Sequence, residues 1–437
     1  MKNKIKKDLG LFICLLLAAA GGSGAYGQGA AWKFDFGPGK TADGYTKVLP
    51  STLYTPELGY GFDFGSAVTG GSAGGRDALH DGFCSSGRPF YFSVKVPEGN
   101  YSVTLVLGDQ AAATVTTVKA ECRRLMVEKQ VTRPGEFATV HFTVHVRDSI
   151  IRNADGSRIP VRLKQREYVY LHWDDKLTLE FSNTSPKICA VEIRPVKNLV
   201  QVFLAGNSTV VDQADEPWAA WGQMIPAFFK PDGIVIANYA ESGETLKAFV
   251  GERRLAKVWT MAHPGDYLFI EFAHNDQKPG GNYLEPFTTY KEKLKWYITE
   301  ARQRGVIPVL VTSMNRRSFD SAGHIINTLG DYPEAMRQTA KEMNTGLVDL
   351  NTMSKLLYEA WGPDQSVHAF VDNTHFNNYG AYELARCMVN GIRQGVPGLS
   401  KYLKDDIAPF DPAHPDPLES WSLPMSGKVA VAKPDGN

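Results

Sequence analysis

Apolar and polar positions follow two different rhythms along this chain. From Trp32 to about Pro195, short apolar runs alternate with polar positions and are cut by Gly, Pro and Asp. Phe90, Phe92, Val94 and Val96 share one face of such a run. Pro97-Glu98-Gly99-Asn100 then turns the chain into a second run, Tyr101–Leu107. Ala138–Val146, Val169–His172, Leu177–Phe181 and Val191-Glu192-Ile193 read as further strands. A period of two without an amphipathic helix predicts an all-β sandwich or jelly roll over residues 28–196.

After Lys197 the rhythm changes. Leu199–Leu204, Ile234–Ala237, Tyr267–Phe272, Val306–Thr312 and Leu347–Leu350 are apolar throughout and of strand length. Helical stretches lie between them. Tyr290–Arg304 carries Leu294, Tyr297, Ile298 and Ala301 on one face, and Pro333–Asn344 is a second such stretch. Strands alternating with helices predict an α/β domain over 197–410, a doubly wound parallel sheet flanked by helices on both faces. In such sheets ligands bind beyond the carboxyl ends of the strands, so the segments that follow the strands are where chemistry is expected. The segment 411–437 has several prolines and little periodicity, which leaves a surface wrap and a disordered tail both open.

The N-terminus has a different character. Lys2, Lys4, Lys6 and Lys7 precede an apolar run from Leu9 to Ala20, followed by small residues ending in Ala25-Tyr26-Gly27. A basic start, a short apolar core and a small-residue cleavage site describe a signal peptide over 1–27, with Gln28 as the mature start. The run is shorter than the roughly 20 residues that span a bilayer. Cys14 sits mid-run behind the bulky Ile13, a poor setting for a lipid anchor. The expected destination is therefore the periplasm or the exterior, without stable membrane insertion.

Charge narrows the partners. Lys plus Arg and Asp plus Glu each number 47, so there is no electrostatic case for nucleic acid as the main partner. Cys84, Cys122, Cys189 and Cys387 have neither a CxxC nor a His/Cys ligand spacing, and no metal site is expected from them. A Cys84–Cys122 bridge and four buried thiols both remain open.

Four polar segments carry candidate chemistry. Gly206-Asn207-Ser208-Thr209 follows the first strand of the second half, on a turn that can expose a serine hydroxyl. Gly243, in Asn238–Thr245, can bring a backbone N–H close to a ligand. Asn275, in Phe272-Ala273-His274-Asn275-Asp276, offers a side-chain amide suited to an oxyanion. Asp372-Asn373-Thr374-His375 sets a carboxylate three residues before an imidazole that it can orient.

Taken in this order, Ser208, Gly243, Asn275 and Asp372-x-x-His375 resemble the four blocks of the SGNH (GDSL-like) hydrolase superfamily. The resemblance is closer to its rhamnogalacturonan acetylesterase branch, through Asn238-x-Ala240-x-x-Gly243, Glu271–Lys278, Thr312–Phe319, Tyr332–Arg337 and Asp372–Phe376. It spans roughly Val200 to Met388 and implies a flavodoxin-like three-layer fold. It also implies a serine esterase in which Ser208 is the nucleophile, His375 the base and Asp372 its orienting carboxylate. The N–H groups of Ser208 and Gly243 and the Asn275 amide would form the oxyanion hole. Neither a metal nor a cofactor is needed. One position departs from the pattern: the family reads Gly-Asp-Ser where this chain has Asn207, which keeps an acceptor and loses the charge.

The implied substrate is an acetylated polysaccharide, pectic rhamnogalacturonan first. Arg316 and Arg317 are candidate partners for its galacturonate carboxylates, and His274 is expected to support the site rather than react. The rival readings are a lipase or aryl esterase of the same superfamily, and a carbohydrate-binding protein with an inactive esterase domain. In the first half, Trp32–Gly37 and Tyr60–Gly65 are similar to galactose-binding-like modules of carbohydrate-active enzymes. That leaves a sugar-binding role and a structural brace equally open.

Overall fold

The computed structural model describes residues 31–427 except 73, 75 and 76. The segment 1–27, read above as a signal peptide, and the last ten residues lie outside the described residues.

The second half is the parallel sheet its apolar runs predict. We number its strands β1 (Val200–Gly206), β2 (Ile234–Asn238), β3 (Tyr267–Glu271), β4 (Ile307–Val311) and β5 (Gly346–Val348). Their spatial order is β2-β1-β3-β4-β5, and every pairing is parallel. Alternate strand residues feed opposite faces, as the pleat requires. Val202, Leu204, Phe269 and Val309 pack with Leu357, Leu384 and Met388 of the helices Leu350–Gln365 and Asn378–Gly395. Phe203, Ala205, Leu268 and Ile270 pack on the other side with Leu246, Leu294 and Ala335. The helix Lys291–Gln303 buries Leu294, Tyr297, Ile298 and Ala301, the face expected for it. Because the order reverses at β1, the crevice between the carboxyl ends of β1 and β3 is the natural ligand site of such a sheet. The run at Leu347 ends sooner than its apolarity implies. The Asp349 side chain accepts from the Thr352 N–H, so Leu350 opens a helix instead of extending β5.

The first half is a two-sheet sandwich. Glu136–Val146, Gly99–Asp109, Lys187–Pro195, Trp32–Phe36 and Thr46–Val48 are successive neighbours in one sheet, to which Gly82–Ser85 and Thr69–Ser72 also belong. Tyr60–Asp63, Phe90–Lys95, Lys176–Ser182, Thr114–Ala120 and Arg124–Thr132 form the other. Phe34, Phe36, Phe62, Phe90 and Phe92 interlock edge to face between them. The turn at Pro97 carries the chain from one sheet to the other.

Two features of this half differ from the sequence reading. Val169–His172 is not a strand. Gln165–Val169 is a short 3₁₀ turn, and Tyr168 and Val169 point outward. Its Glu167 carboxylate accepts from the Lys164 N–H at 2.8 Å and from Trp173 Nε1 at 2.9 Å, and this local capping competes with strand pairing. Conversely, Thr114–Ala120 and Arg124–Thr132 are strands although Thr116, Thr117, Lys119 and Arg124 interrupt any apolar rhythm. These polar side chains are buried, and Lys119 and Arg124 meet Glu216 and Asp212 of the other half of the protein.

All four cysteines from Cys84 onward are free and buried. Burial pushes the Cys84 and Cys189 thiols up to about 12, far from reactivity. Residues 411–427 wrap the surface. Trp421 stacks on Tyr382 at 4.3 Å and donates to Glu128 at 2.8 Å, and Ser426 is buried on Glu180 and Lys119. This segment therefore ties the sandwich to the α/β half. No helix among the described residues is long and apolar enough to cross a membrane.

Candidate active site

β1 ends at Gly206, and the next three residues make a tight polar turn. Asn207 Oδ1 accepts from the Thr209 N–H at 3.1 Å and from Thr209 Oγ1 at 2.8 Å, which holds Ser208 at the apex. The turn therefore survives the loss of the family's aspartate, because only an acceptor is required there. Asn207 Nδ2, where an aspartate would carry its second oxygen, is buried without a hydrogen-bond partner. Gln213 donates to the Ser208 carbonyl at 2.8 Å and fixes the apex from the other side.

Ser208 Oγ lies 2.9 Å from His375 Nε2, although the two residues are 167 positions apart in sequence. His375 Nδ1 lies 3.0 Å from Asp372 Oδ2. A carboxylate only accepts, so Nδ1 carries the proton and Nε2 is left to accept from the serine hydroxyl. Asp372 Oδ1 also accepts the N–H groups of Thr374 at 2.7 Å and His375 at 2.8 Å. Burial works to raise the Asp372 carboxyl, but the His375 ring and these two N–H groups outweigh it. They hold the group well below the usual carboxylate range. The loop is thus built to keep a negative charge behind the imidazole.

Gly243 follows β2 in the turn Glu241–Glu244, which is closed by the Glu244 N–H donating to the Glu241 carbonyl at 3.2 Å. Its φ of 81° is left-handed, as the third position of a type II turn requires. Asn275 follows β3, and its side-chain amide donates to the Glu244 carbonyl at 3.1 Å, tying the two loops together. The amide keeps a second hydrogen for another acceptor.

Of the remaining candidates, His274 is buried. Burial, then the neighbouring charges of Arg316 and His375, push its ring well below the ordinary histidine range, so it stays neutral. Arg316 reaches the His274 carbonyl at 3.4 Å and Thr328 Oγ1 at 3.3 Å. Arg317 donates to Ser366 Oγ at 2.9 Å and the Pro363 carbonyl at 2.7 Å, and its own N–H meets the Asn373 carbonyl at 2.8 Å. These bonds make Arg317 a staple of the loop that carries Asp372 and His375.

Several supporting residues escaped the sequence reading. Thr209 Oγ1 also lies 3.0 Å from Glu271, whose other oxygen accepts from Trp221 Nε1 at 2.7 Å. Burial pushes the Glu271 carboxyl up to about 8 against these two bonds. In its protonated form it donates to Thr209, which is then free to donate to Asn207. Arg123 and Arg124 reach in from the sandwich. Arg123 donates to the carbonyls of Gln213 at 3.1 Å and Trp218 at 2.8 Å, and Arg124 pairs with Asp212. The run Glu121-Cys122-Arg123-Arg124 between two strands was the available signal.

Glu167, His172 and Glu241 offer ligand atoms within 4.8 Å of one another. Arg254 already pairs with Glu167, Arg166 with Glu241 and Lys164 with Glu244. These carboxylates are thus already engaged by cationic side chains, and the cluster reads as an ion-pair network.

Residues 204–382 match the GDSL-like Lipase/Acylhydrolase family, and residues 32–150 match the galactose-binding domain-like family of β-agarase/YXIM esterase-like proteins. Rhamnogalacturonan acetylesterase RhgT of Bacillus subtilis (strain 168) is 41% identical over 230 residues, covering 48% of this chain and 96% of that protein. The uncharacterized esterase YxiM of the same organism is 26% identical over 402 residues, 89% of this chain and 98% of that protein. The crystal structure of Bacillus subtilis YxiM aligns over 84% of this chain and 100% of that chain, with a TM-score of 0.45 and 26% identity. The chain belongs to the GDSL-like lipase/acylhydrolase family, its hydrolase half similar in sequence to rhamnogalacturonan acetylesterases and preceded by a galactose-binding-like module.

Proposed function

We propose that this protein is an exported carbohydrate esterase that removes acetyl groups from pectic rhamnogalacturonan through an acetyl-enzyme on Ser208. The observation that carries the reading is the Ser208–His375 contact at 2.9 Å, backed by Asp372 at 3.0 Å. In the first half-reaction Ser208 Oγ attacks the acetyl carbonyl while His375 Nε2 takes its proton. Asp372 stabilises the imidazolium that results. The N–H groups of Ser208 and Gly243 and the Asn275 amide receive the oxyanion. His375 then protonates the departing sugar hydroxyl. Water, deprotonated by the same nitrogen, releases acetate and restores the serine.

The pectic substrate is supported by the 41% identity to a protein named rhamnogalacturonan acetylesterase. Export is supported by the basic, apolar and small-residue succession in residues 1–27, and N-terminal sequencing of the exported protein checks it by finding Gln28 first.

The test is acetate release from acetylated rhamnogalacturonan by the mature protein, beside Ser208→Ala and an acetylated xylan control. Release from the pectic polymer alone, abolished by Ser208→Ala, is the expected result. Release from both polymers keeps the esterase and removes the narrow specificity. A folded protein silent on both polymers and on an aryl acetate sinks the catalytic reading and promotes the carbohydrate-binding one.

A further inference from the structure

The sandwich half contributes two side chains to the loop that carries Gly243. Lys164 Nζ and Arg166 Nη2 both donate to the carbonyl oxygen of Ser242, the latter at 2.9 Å. The same two cations pair with the loop's carboxylates, Lys164 with Glu244 at 2.8 Å and Arg166 with Glu241 at 2.5 Å. Arg254, buried and bidentate on Glu167, anchors the 3₁₀ turn that presents Arg166. The accessory half thus grips a loop of the hydrolase half through one carbonyl and the two carboxylates that flank it.

That carbonyl shares its peptide unit with the Gly243 N–H. In a trans peptide the C=O and N–H point in opposite directions, so whatever holds the Ser242 oxygen also aims the Gly243 N–H. The turn Glu241–Glu244 has its one positive φ at Gly243. Type I and type II turns differ by roughly half a rotation of this central peptide plane. A flip to type I would leave the turn's ends in place and reverse the N–H. Glycine makes that flip sterically easy, so an external restraint on the carbonyl decides the orientation. Two charged donors on one carbonyl also polarise the peptide and strengthen its N–H as a donor.

We propose that Lys164 and Arg166 are positioning residues for the oxyanion hole, locking the Ser242–Gly243 peptide so that its N–H faces the acetyl group. This rests on the esterase reading above. The sandwich is then part of the catalytic apparatus, whether or not it binds sugar.

The test uses the full chain with p-nitrophenyl acetate, which makes no polymer contacts, and phenylboronic acid, which mimics the tetrahedral intermediate on serine. Lys164→Ala and Arg166→Ala are expected to lower kcat about tenfold each and roughly 10²-fold together. Each single loss is less than the roughly 10²–10³ typical of deleting one oxyanion donor outright, and the double loss reaches the lower end of that range. KM should stay nearly constant, phenylboronic acid should bind more weakly in step with kcat, and Arg166→Lys should recover part of the loss. Because the double variant removes two ion pairs, Lys164→Gln and Arg166→Gln, which keep the bulk, provide the same readouts if it fails to fold. Folded variants with unchanged kcat, or with reduced kcat but undiminished boronic acid binding, overturn the proposal. An active wild type beside such variants sinks this inference alone. A folded wild type as silent as Ser208→Ala sinks the esterase reading beneath it.

Discussion

Arg124 Nε donates to Asp212 Oδ2 at 2.5 Å, joining a strand of the sandwich to the loop that follows Ser208, with both side chains buried. The other Asp212 oxygen accepts from Asn238 Nδ2 at 2.8 Å, at the end of β2. One ion pair thus connects the accessory half to two of the loops around the site. Removing one partner of a buried pair strands the other charge and typically costs about 3–5 kcal/mol. Arg124→Ala is expected to lose stability on that scale in urea unfolding. An apolar double replacement, Arg124→Met with Asp212→Leu, should lose less, because no charge is left uncompensated.

Asp372→Asn changes what faces His375 Nδ1. An amide can turn its NH₂ to the ring, which favours the tautomer with the proton on Nε2, the wrong nitrogen for accepting from Ser208. The comparable change in serine proteases costs about 10⁴ in kcat, and a loss of similar order in acetate release is expected here. The same variant bears on acid stability. The folded Asp372 carboxyl is depressed, so its contribution is fully present above the unfolded value of about 3.9. It is lost as pH falls from there through the folded value. Between about pH 4 and the onset of acid unfolding, the wild type should lose stability more steeply than Asp372→Asn, as followed by circular dichroism.

Asn275→Ala removes a side-chain donor and the tether to the Glu244 carbonyl. A fall in kcat of about 10²–10³ is expected, the range for one oxyanion donor. KM on p-nitrophenyl acetate should move little, since the donor acts mainly in the transition state. A rise in KM with kcat intact would place Asn275 outside the oxyanion hole.

Glu271 works in the opposite pH sense from Asp372. Its folded carboxyl is raised to about 8 by burial, against roughly 4.3 in the unfolded chain. Below that unfolded value its contribution is fully present, and it is lost as pH rises towards 8. Glu271→Gln keeps an acceptor for Trp221 and gains a permanent donor for Thr209 without a titrating proton. The variant should therefore gain on the wild type in thermal unfolding between pH 5 and pH 8. A constant difference across that range would show that Glu271 does not titrate there.

Much of this architecture is legible in short stretches of the chain. The alternation at Phe90–Val96 and the face Leu294-Tyr297-Ile298-Ala301 assign their elements, because burying one face imposes the period directly. The position of Ser208 just after an apolar strand and the Asp372-x-x-His375 spacing are equally local. The run Val169–His172 misled for the complementary reason. Its strand-like composition was overruled by Glu167, whose partners include Arg254, 87 positions later.

The sequence by itself determined the two rhythms, the five strands of the parallel sheet and the candidate residues for acyl transfer, since each depends on neighbours a few positions apart. Only the tertiary structure decided that Ser208 meets His375, that Asn275 ties down the Gly243 loop and that the sandwich is built into the site. Arg124 finds Asp212 across 88 positions, and Lys164 finds the Ser242 carbonyl across 78. Such partners leave no local period, because what selects them is the need to satisfy charges and carbonyls buried when two folded halves close together.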